Sequence, residues 1–254
     1  MPRPSFKIDQ DHPGSDLAAG TAAAFASGSI VFLEADRAYA LDLLHRARQL
    51  LAFATKHLGK YSDAIPSVQQ YYRSWSGYND EIIFAAAWIA RAAKAANQPT
   101  AARDLEAANA LVDQFPISDG QEFSWDDKSA GANLLMYQLT GSDRFRSQFE
   151  NFKNTIRAKP TTPGGMVFIS KWGSARHAAN VAFLFAVDAL WTHGRNQKST
   201  RTSRRDFIWA EKQLKYLLGN GPVLDGRKGS LLIGYGDVYP IKPHHRSSSC
   251  RVVL

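Results

Sequence analysis

The sequence predicts an all-α fold of the α/α-toroid kind, an inner ring of helices wrapped by an outer ring. Three observations predict it. Apolar residues recur at helical spacing along almost the whole chain. The helices so defined alternate between two kinds: one is apolar on nearly every face, the other carries a single apolar stripe. A helix of the first kind has to be surrounded by protein. Finally, the connections are unequal: those leading into an apolar helix are long and aromatic, whereas two of the reverse connections, Ala96–Thr100 and Thr140–Ser142, are short and plain.

The first apolar helix is expected over Asp16–Leu33, with Ser15 placed to cap its first free N–H groups. An amphipathic helix follows over Arg37–Leu58: Leu43, Ala47, Leu50, Ala54 and Leu58 form one stripe, and Asp42, Arg46, Gln49 and Lys56 lie away from it. Asp80–Ala96 is apolar all round, and Thr100–Val112 is amphipathic with Thr100 as its cap. Lys128–Leu139 is again apolar and ends at Gly141. Ser142–Arg157 places Phe145, Phe149, Phe152 and Ile156 at spacings of four, three and four, and Ser142 caps it. The last pair is Ser174–Trp191, capped by Ser174 and closed by Gly194, and Ser203–Leu218, with Phe207, Leu214, Leu217 and Leu218 as its stripe and Gly219 at its end. If inner helices all run one way, the long loops preceding them emerge at one end. Eight helices make four hairpins, fewer than a closed ring of this type usually holds.

At 254 residues the chain is large enough for one sizeable domain or two small ones. Its longest apolar runs are too short to span a bilayer, so no membrane partner is expected. Met1 is followed by PRPSFKIDQDHPG, without the basic-then-apolar pattern of a secretory signal. The single Cys250 excludes an internal disulfide and a multi-Cys metal site. The net charge of +8 is concentrated in Arg195, Lys198, Arg201, Arg204 and Arg205. That segment reads as a solvated loop between helices; it lacks the interleaved aromatics of a nucleic-acid surface, so no nucleic acid is expected.

The chemistry-bearing residues sit in four loops: GKYSDAIPSVQQYYRSWSGYNDE (59–81), FPISDGQEFSWDDK (115–128), PGGMVFISKWGSARH (163–177) and GYGDVYPIKPHHR (234–246). Trp75, Trp125 and Trp172 lie in polar surroundings. An indole face stacks on the C–H face of a pyranose, and a row of them makes a carbohydrate groove; plugging the mouth of a barrel is the other reading. Tyr72, Tyr78 and Tyr235 add hydroxyls. Asp63, Asp80, Glu81, Asp126 and Asp127 cluster at loop ends. Hydrolysis of a glycosidic bond needs two carboxyl groups, but sequence neighbours such as Asp126 and Asp127 rarely face each other across a substrate. Both also sit at a helix N-terminus that stabilises anions, so Asp126 is expected to position substrate rather than move protons. His244, His245 and Arg246 suit a site that hydrogen-bonds hydroxyls and stabilises charge. No third ligand is spaced for a metal, Gly164–Gly165 is a turn, and no nucleotide or cofactor motif occurs, so neither metal nor cofactor is expected.

The segments PGSDLAAGTAAAFASGSIVF, GKYSD, YYRSWSGYNDEIIFAAAWI, FSWDDKSAGANLLMYQLTG, PGGMVFISKWGSARHAANVAFL and GYGDVYPIKPHHRSSSC closely resemble glycoside hydrolase family 9, particularly its animal-type endoglucanases. They span nearly the whole chain in order. The resemblance implies an (α/α)6 barrel, about four of its six hairpins being present, and inverting hydrolysis of β-1,4-glucosidic bonds in cellulose or related β-glucans. It puts His244 and Arg246 in the family's histidine signature beside the cleaved bond, with His244 in a supporting catalytic role. It makes Tyr72, Trp75, Trp125, Trp172 and Arg176 contacts for glucosyl units, and places His177 where a sugar-contacting aromatic is common. Ile233 and Val238 depart from the signature's usual residues, which affects loop geometry more than chemistry. The family's general base lies in an Asp-Ala-Gly-Asp segment upstream of the matched stretch, and its general acid is a Glu beyond the histidine signature; neither occurs here. Residues 1–254 are therefore expected to be an incomplete family 9 catalytic domain that binds a β-glucan chain as a monomer, the full-length family member being secreted. The alternative is a non-catalytic β-glucan-binding remnant or inactive gene fragment.

Overall fold

The computed structural model describes residues 5–196, 201–221, 223–224 and 226–241, and the chain divides into two compact units, Met1–Thr155 and Ile156–Leu254. In the first lie α1 (Ser15–Phe32), α2 (Arg37–Lys56), the short α3 (Tyr61–Ala64) and α4 (Gln69–Tyr72) on either side of a 3-10 turn (Pro66–Val68), α5 (Asn79–Ala95), α6 (Ala101–Gln114), α7 (Ser129–Thr140) and most of α8 (Asp143–Ala158). The second unit holds α9 (Ser174–Asn196), α10 (Arg201–Lys215), a π-turn (Tyr216–Asn220) and a ribbon of β1 (Val223–Leu224) antiparallel to β2 (Arg227–Lys228), with Val223 opposite Lys228. Among the described residues, the eight long helices are those expected. The stretch 59–81, read as a loop, instead contains α3, the 3-10 turn, α4 and the start of α5.

The core of the first unit is rich in alanine. Ala18, Ala22 and Ala26 of α1 meet Leu44, Ala47 and Ala54 of α2 and Ile82, Ile83, Ala86 and Ala93 of α5. Small side chains let helix axes approach closely, and each large aliphatic chain removed from water, such as Ile82, contributes about 1.5–3 kcal/mol. The expectation of enclosed helices holds for α5, which packs on α1, α2, α6 and α7, and for α7, whose residues 129–136 are all buried. It fails on one side of α1 and of α9. Val31 is 75% exposed and Leu17 50%, and in α9 Phe183 and Leu190 stand out at 59% and 58%. Composition reports that a helix is apolar all round but not how many neighbours reach it; α1 packs on α2 and α5 and keeps a third, uncovered face.

The stripe of α8 is buried as spaced: Phe145, Phe149, Phe152 and Ile156 are all in the core. The stripe expected for α10 is not. Phe207, Leu214 and Leu218 are exposed, and α10 turns Ser203, Asp206, Ala210 and Gln213 inward. Polar anchoring decides that face: Asp206 pairs with Arg157, and Gln213 accepts the Val167 N–H at 2.8 Å and donates to the Gly165 carbonyl at 3.2 Å. Arg201, Arg204 and Arg205, expected in a loop, belong to α10; Lys198 lies outside the described residues.

Several expected caps are also corrected. Gly141 ends α7 in the left-handed conformation, φ 71°, and Gly219 breaks the π-turn at φ 119°, whereas Gly194 lies inside α9. Thr100 stands at the N-cap of α6, but its hydroxyl serves Asp104 and Arg48. Ser15 and Ser174 fall inside their helices. The side-chain cap of α2 is Asp36, which accepts the Tyr39 N–H at 2.9 Å. Among the described residues, no helix is long and apolar enough to cross a membrane.

Candidate functional site

In the first unit the two aromatic loops before α5 and α7 are joined by side-chain-to-backbone hydrogen bonds. The foundation is the start of α1. Ser15 donates its N–H to the Gly59 carbonyl at 2.7 Å, its hydroxyl donates to Ala54 O at 2.7 Å, and Gly59 N–H returns to that hydroxyl at 3.2 Å. The Asp16 carboxylate accepts the Tyr61 N–H at 3.0 Å. These bonds lock PGSD to GKYSD and fix where α3 begins. From there Ser62 ties the chain back on itself: its hydroxyl accepts the Ser74 N–H at 3.2 Å and its carbonyl accepts Gln69 Nε2 at 2.9 Å. The Tyr61 hydroxyl donates to the Tyr72 carbonyl. Tyr72 and Trp75 are thereby held at the rim with exposed rings, Trp75 at 71%. Gly77 then turns the chain into α5 at φ 96°, a conformation that favours glycine.

The second loop is pinned by its own carboxylates. Asp127 accepts the Ser129 N–H at 2.8 Å and the Gln121 N–H at 3.3 Å, which satisfies a free donor at the start of α7. Asp80 accepts the Lys128 N–H at 2.5 Å. Asp126 reaches across to the first loop, with Oδ1 accepting the Trp75 N–H at 2.7 Å and Oδ2 the Ser76 N–H at 3.2 Å. The Tyr72 ring then meets the half-buried Trp125 indole edge to face, 5.4 Å between centroids, and the Arg73 guanidinium lies 4.7 Å over Trp75. Tyr72, Trp75, Trp125 and Asp126, all expected site residues, are brought together.

Behind this rim lies a cavity of about 400 Å³ whose wall includes Asp16, Tyr61, Glu81, Trp125, Asp126 and Lys128. Burial is the largest influence on its acids. It pushes Asp16 and Asp126 up from the usual carboxylate range, against the hydrogen bonds that favour their charge. Glu81 is raised furthest, by burial and then by the charge of Asp80, and Asp80 is itself raised by burial. Tyr61 is pushed up to about 12 by burial and the nearby Asp16 and Asp126. One Glu81 oxygen, Oε2, is buried without a hydrogen-bond partner. Facing these acids, Lys128 donates through Nζ to the carbonyls of Ser124 and Trp125, at 2.6 and 2.7 Å. Lys128, Asp16 and Tyr61 were not among the expected site residues. Lysine at a helix N-terminus opposes the helix dipole, and that mismatch was the available signal for Lys128.

The second unit carries the third loop. An isolated bridge between Thr161 and Val167 and the Gly165 turn at φ 92° shape it. The Ser174 hydroxyl donates to Ser170 O at 2.6 Å at the start of α9. Trp172 is 84% exposed. Gly173, at φ 67°, leaves room for Arg176 to fold back, since a Cβ there would lie 2.6 Å from Arg176 Nε. Arg176 is exposed, but its neighbour His177 is 4% exposed and turned into the protein. Consecutive helical residues point about 100° apart, and that rotation carries His177 inward from the exposed Arg176. Tyr235 is exposed and Tyr78 half-buried. His244, His245, Arg246 and Cys250 lie outside the described residues.

Comparison with known proteins converges on one family. The profile described as "Glycosyl hydrolase family 9" matches residues 1–253. Endoglucanase A of Bacillus pumilus is 37% identical over 260 residues, which are 98% of this chain and 37% of that protein. Among solved structures, the endoglucanase of the termite Nasutitermes takasagoensis superposes with a TM-score of 0.85 at 37% identity, over 99% of this chain and 54% of its own. Endoglucanase CelQ of Clostridium thermocellum, solved with cellotriose, superposes with a TM-score of 0.77 at 26% identity, over 98% of this chain and 39% of its own. The chain thus spans about half the length of these relatives or less. With helix order, loop sequence and backbone all in agreement, the chain belongs to glycosyl hydrolase family 9, and its fold is all-α, a partial (α/α)6 barrel.

Proposed function

We propose that residues 1–254 are part of a family 9 catalytic domain and supply the grip on the β-1,4-glucan chain that an endoglucanase cleaves. The observation that carries this reading is the trio of exposed Tyr72 and Trp75 and half-buried Trp125, whose main chain is fixed by side-chain hydrogen bonds. Pre-organised platforms of this kind lose little conformational freedom when a rigid ligand stacks on them. Relatives named as endoglucanases, and the cellotriose bound to CelQ, support cellulose or a related β-glucan as the ligand. Trp172 and Arg176, exposed at the start of α9, are proposed as further contacts with glucosyl units, and His244 and Arg246 as the groups flanking the cleaved bond. The carboxylates of Asp126 and Asp127 are committed to main-chain N–H groups. Asp126 thus serves the glucan through Trp75, and inverting chemistry, which needs an acid and a base across the bond, is assigned to neither.

Titration of the purified chain with cello-oligosaccharides tests the grip. Binding that falls about tenfold or more in Trp75→Ala is expected, and absence of any binding overturns the proposal. Release of reducing sugar from carboxymethylcellulose tests hydrolysis by the same protein; binding without release gives this chain the grip on the glucan and not the cut.

A further inference from the structure

Lys128 occupies the N-cap position of α7, where a cation meets the positive end of the helix dipole and is disfavoured. Its ammonium donates to the carbonyls of Ser124 and Trp125 at 2.6 and 2.7 Å, charge-assisted hydrogen bonds of good length. Its approach to Glu81 Oε1, at 3.7 Å, is looser. Its own main-chain N–H is fixed by Asp80. Asp80 and Glu81 form the buried first turn of α5, so Lys128 ties that rigid turn to the main chain that carries the Trp125 indole. The ring itself meets the edge of Tyr72, which belongs to a different loop.

We propose that Lys128 is a positioning residue for Trp125: by clamping the carbonyls of residues 124 and 125 against the acidic first turn of α5, it sets the angle at which the indole meets a glucan ring. The proposal rests on the reading of Trp125 as a sugar platform. Glu81 is the minor partner in the clamp. Its carboxyl is pushed toward the neutral form by burial and by Asp80, so the two carbonyls rather than an ion pair hold the ammonium. Asp16, Asp126 and Tyr61, which face the same cavity, surround the clamp without hydrogen-bonding to Nζ.

Two measurements on the full 254-residue chain test it: cellohexaose titration, and acrylamide quenching of tryptophan emission. Lys128→Met, which keeps the stem and removes the donors, is expected to weaken cellohexaose binding about tenfold and to increase quenching. Lys128→Arg, which keeps charge and donors, is expected to recover most of both. The binding loss should disappear in a Trp125→Ala background and the extra quenching in a Trp125→Phe background, because a residue acting through another shows full coupling in a double-mutant cycle. An equal binding loss with and without the indole, or quenching that Lys128→Met leaves unchanged, overturns the proposal. Should Trp125→Ala leave cellohexaose binding intact, the sugar-platform reading fails, and the quenching comparison still decides whether Lys128 sets the indole. If Lys128→Met does not fold, Lys128→Leu, which likewise has no side-chain donor, takes its place in both measurements.

Discussion

Asp126 Oδ1 accepts the main-chain N–H of Trp75 at 2.7 Å across 51 residues of sequence, and Oδ2 takes the N–H of Ser76 beside it. One carboxylate therefore joins the loop entering α5, which carries the exposed Trp75, to the loop entering α7, which carries the half-buried Trp125. Removing it in Asp126→Ala leaves two N–H donors without their acceptor and frees the Trp75 loop. Hydrogen bonds to a charged group contribute about 1.5–3 kcal/mol each, and part of that is recovered by water at this half-buried site. Cello-oligosaccharide affinity in Asp126→Ala is expected to fall, though no further than in Trp75→Ala, and Asp126→Asn, which keeps one acceptor, to fall between parent and Asp126→Ala. Isothermal titration of the three proteins checks the order; an Asp126→Ala protein that binds like the parent refutes the bridging role.

Trp172 offers the opposite combination, a large ring with almost no packing, 84% exposed. Truncating an exposed side chain away from special features changes stability by about 0.5 kcal/mol or less, whereas an aromatic anchor in a binding surface is worth more than about 1 kcal/mol. Trp172→Ala should therefore unfold at the parent's temperature yet bind cello-oligosaccharides more weakly. Arg204→Ala, an exposed change on α10, should alter neither. Scanning calorimetry and titration read the two properties separately. A Trp172→Ala protein with lowered stability and unchanged affinity would make the indole a packing residue.

Legibility in the sequence followed the range of the interaction. The stripe Phe145, Phe149, Phe152 and Ile156 is local periodicity, and all four are buried as spaced. The inward face of α10 was misread because Asp206 and Gln213 are chosen by partners about 46–49 residues earlier, Val167 and Arg157, and periodicity counts them as the solvent side. The aromatic loops were visible because a tryptophan in polar surroundings is conspicuous by composition alone. Their assembly was not: Asp126 accepts from the Trp75 main chain across 51 residues and the Tyr72 ring meets Trp125 from another loop, and such pairs leave no spacing signature. His177 shows the same limit at short range. It lies beside an exposed Arg176, and only the helix phase, with α9 beginning at Ser174, reveals that it turns inward.

Within the second unit, Asp206 is 1% exposed and is paired with Arg157, whose guanidinium also lies 5.0 Å over the Phe185 ring. Breaking a buried pair by deleting one partner costs about 3–5 kcal/mol, because it strands the other charge. Asp206→Ala should lower the unfolding free energy obtained from denaturant titration by that order. Arg205 stands 3.9 Å from the same carboxylate with its side chain 66% exposed. As a surface charge its deletion is expected to cost about 1 kcal/mol or less. Equal effects for Asp206→Ala and Arg205→Ala would show that burial does not set the strength of this pair.

Glu81 makes stability depend on pH in a direction opposite to that of an ordinary salt-bridged carboxylate. Its folded pKa is raised, first by burial and then by Asp80, to about 10. Across the window between the usual glutamate value and that upper bound, the folded chain binds a proton that the unfolded chain has released. Stability from this group is complete at low pH and declines as pH rises through the window, by at most about 1.4 kcal/mol per pH unit. Asp80 and Asp16 are raised by burial as well and add declines of the same sign, while Lys128, 3.7 Å away, opposes the shift of Glu81. Glu81→Gln keeps the shape of the neutral side chain and removes its titration. The variant should match the parent near pH 5 and exceed it increasingly toward pH 9, although it still declines through Asp80 and Asp16. Urea midpoints at pH 5, 7 and 9 measure the gap. A constant gap, or one that narrows as pH rises, would mean that Glu81 is ionised in the folded chain and held by Lys128 as an ion pair.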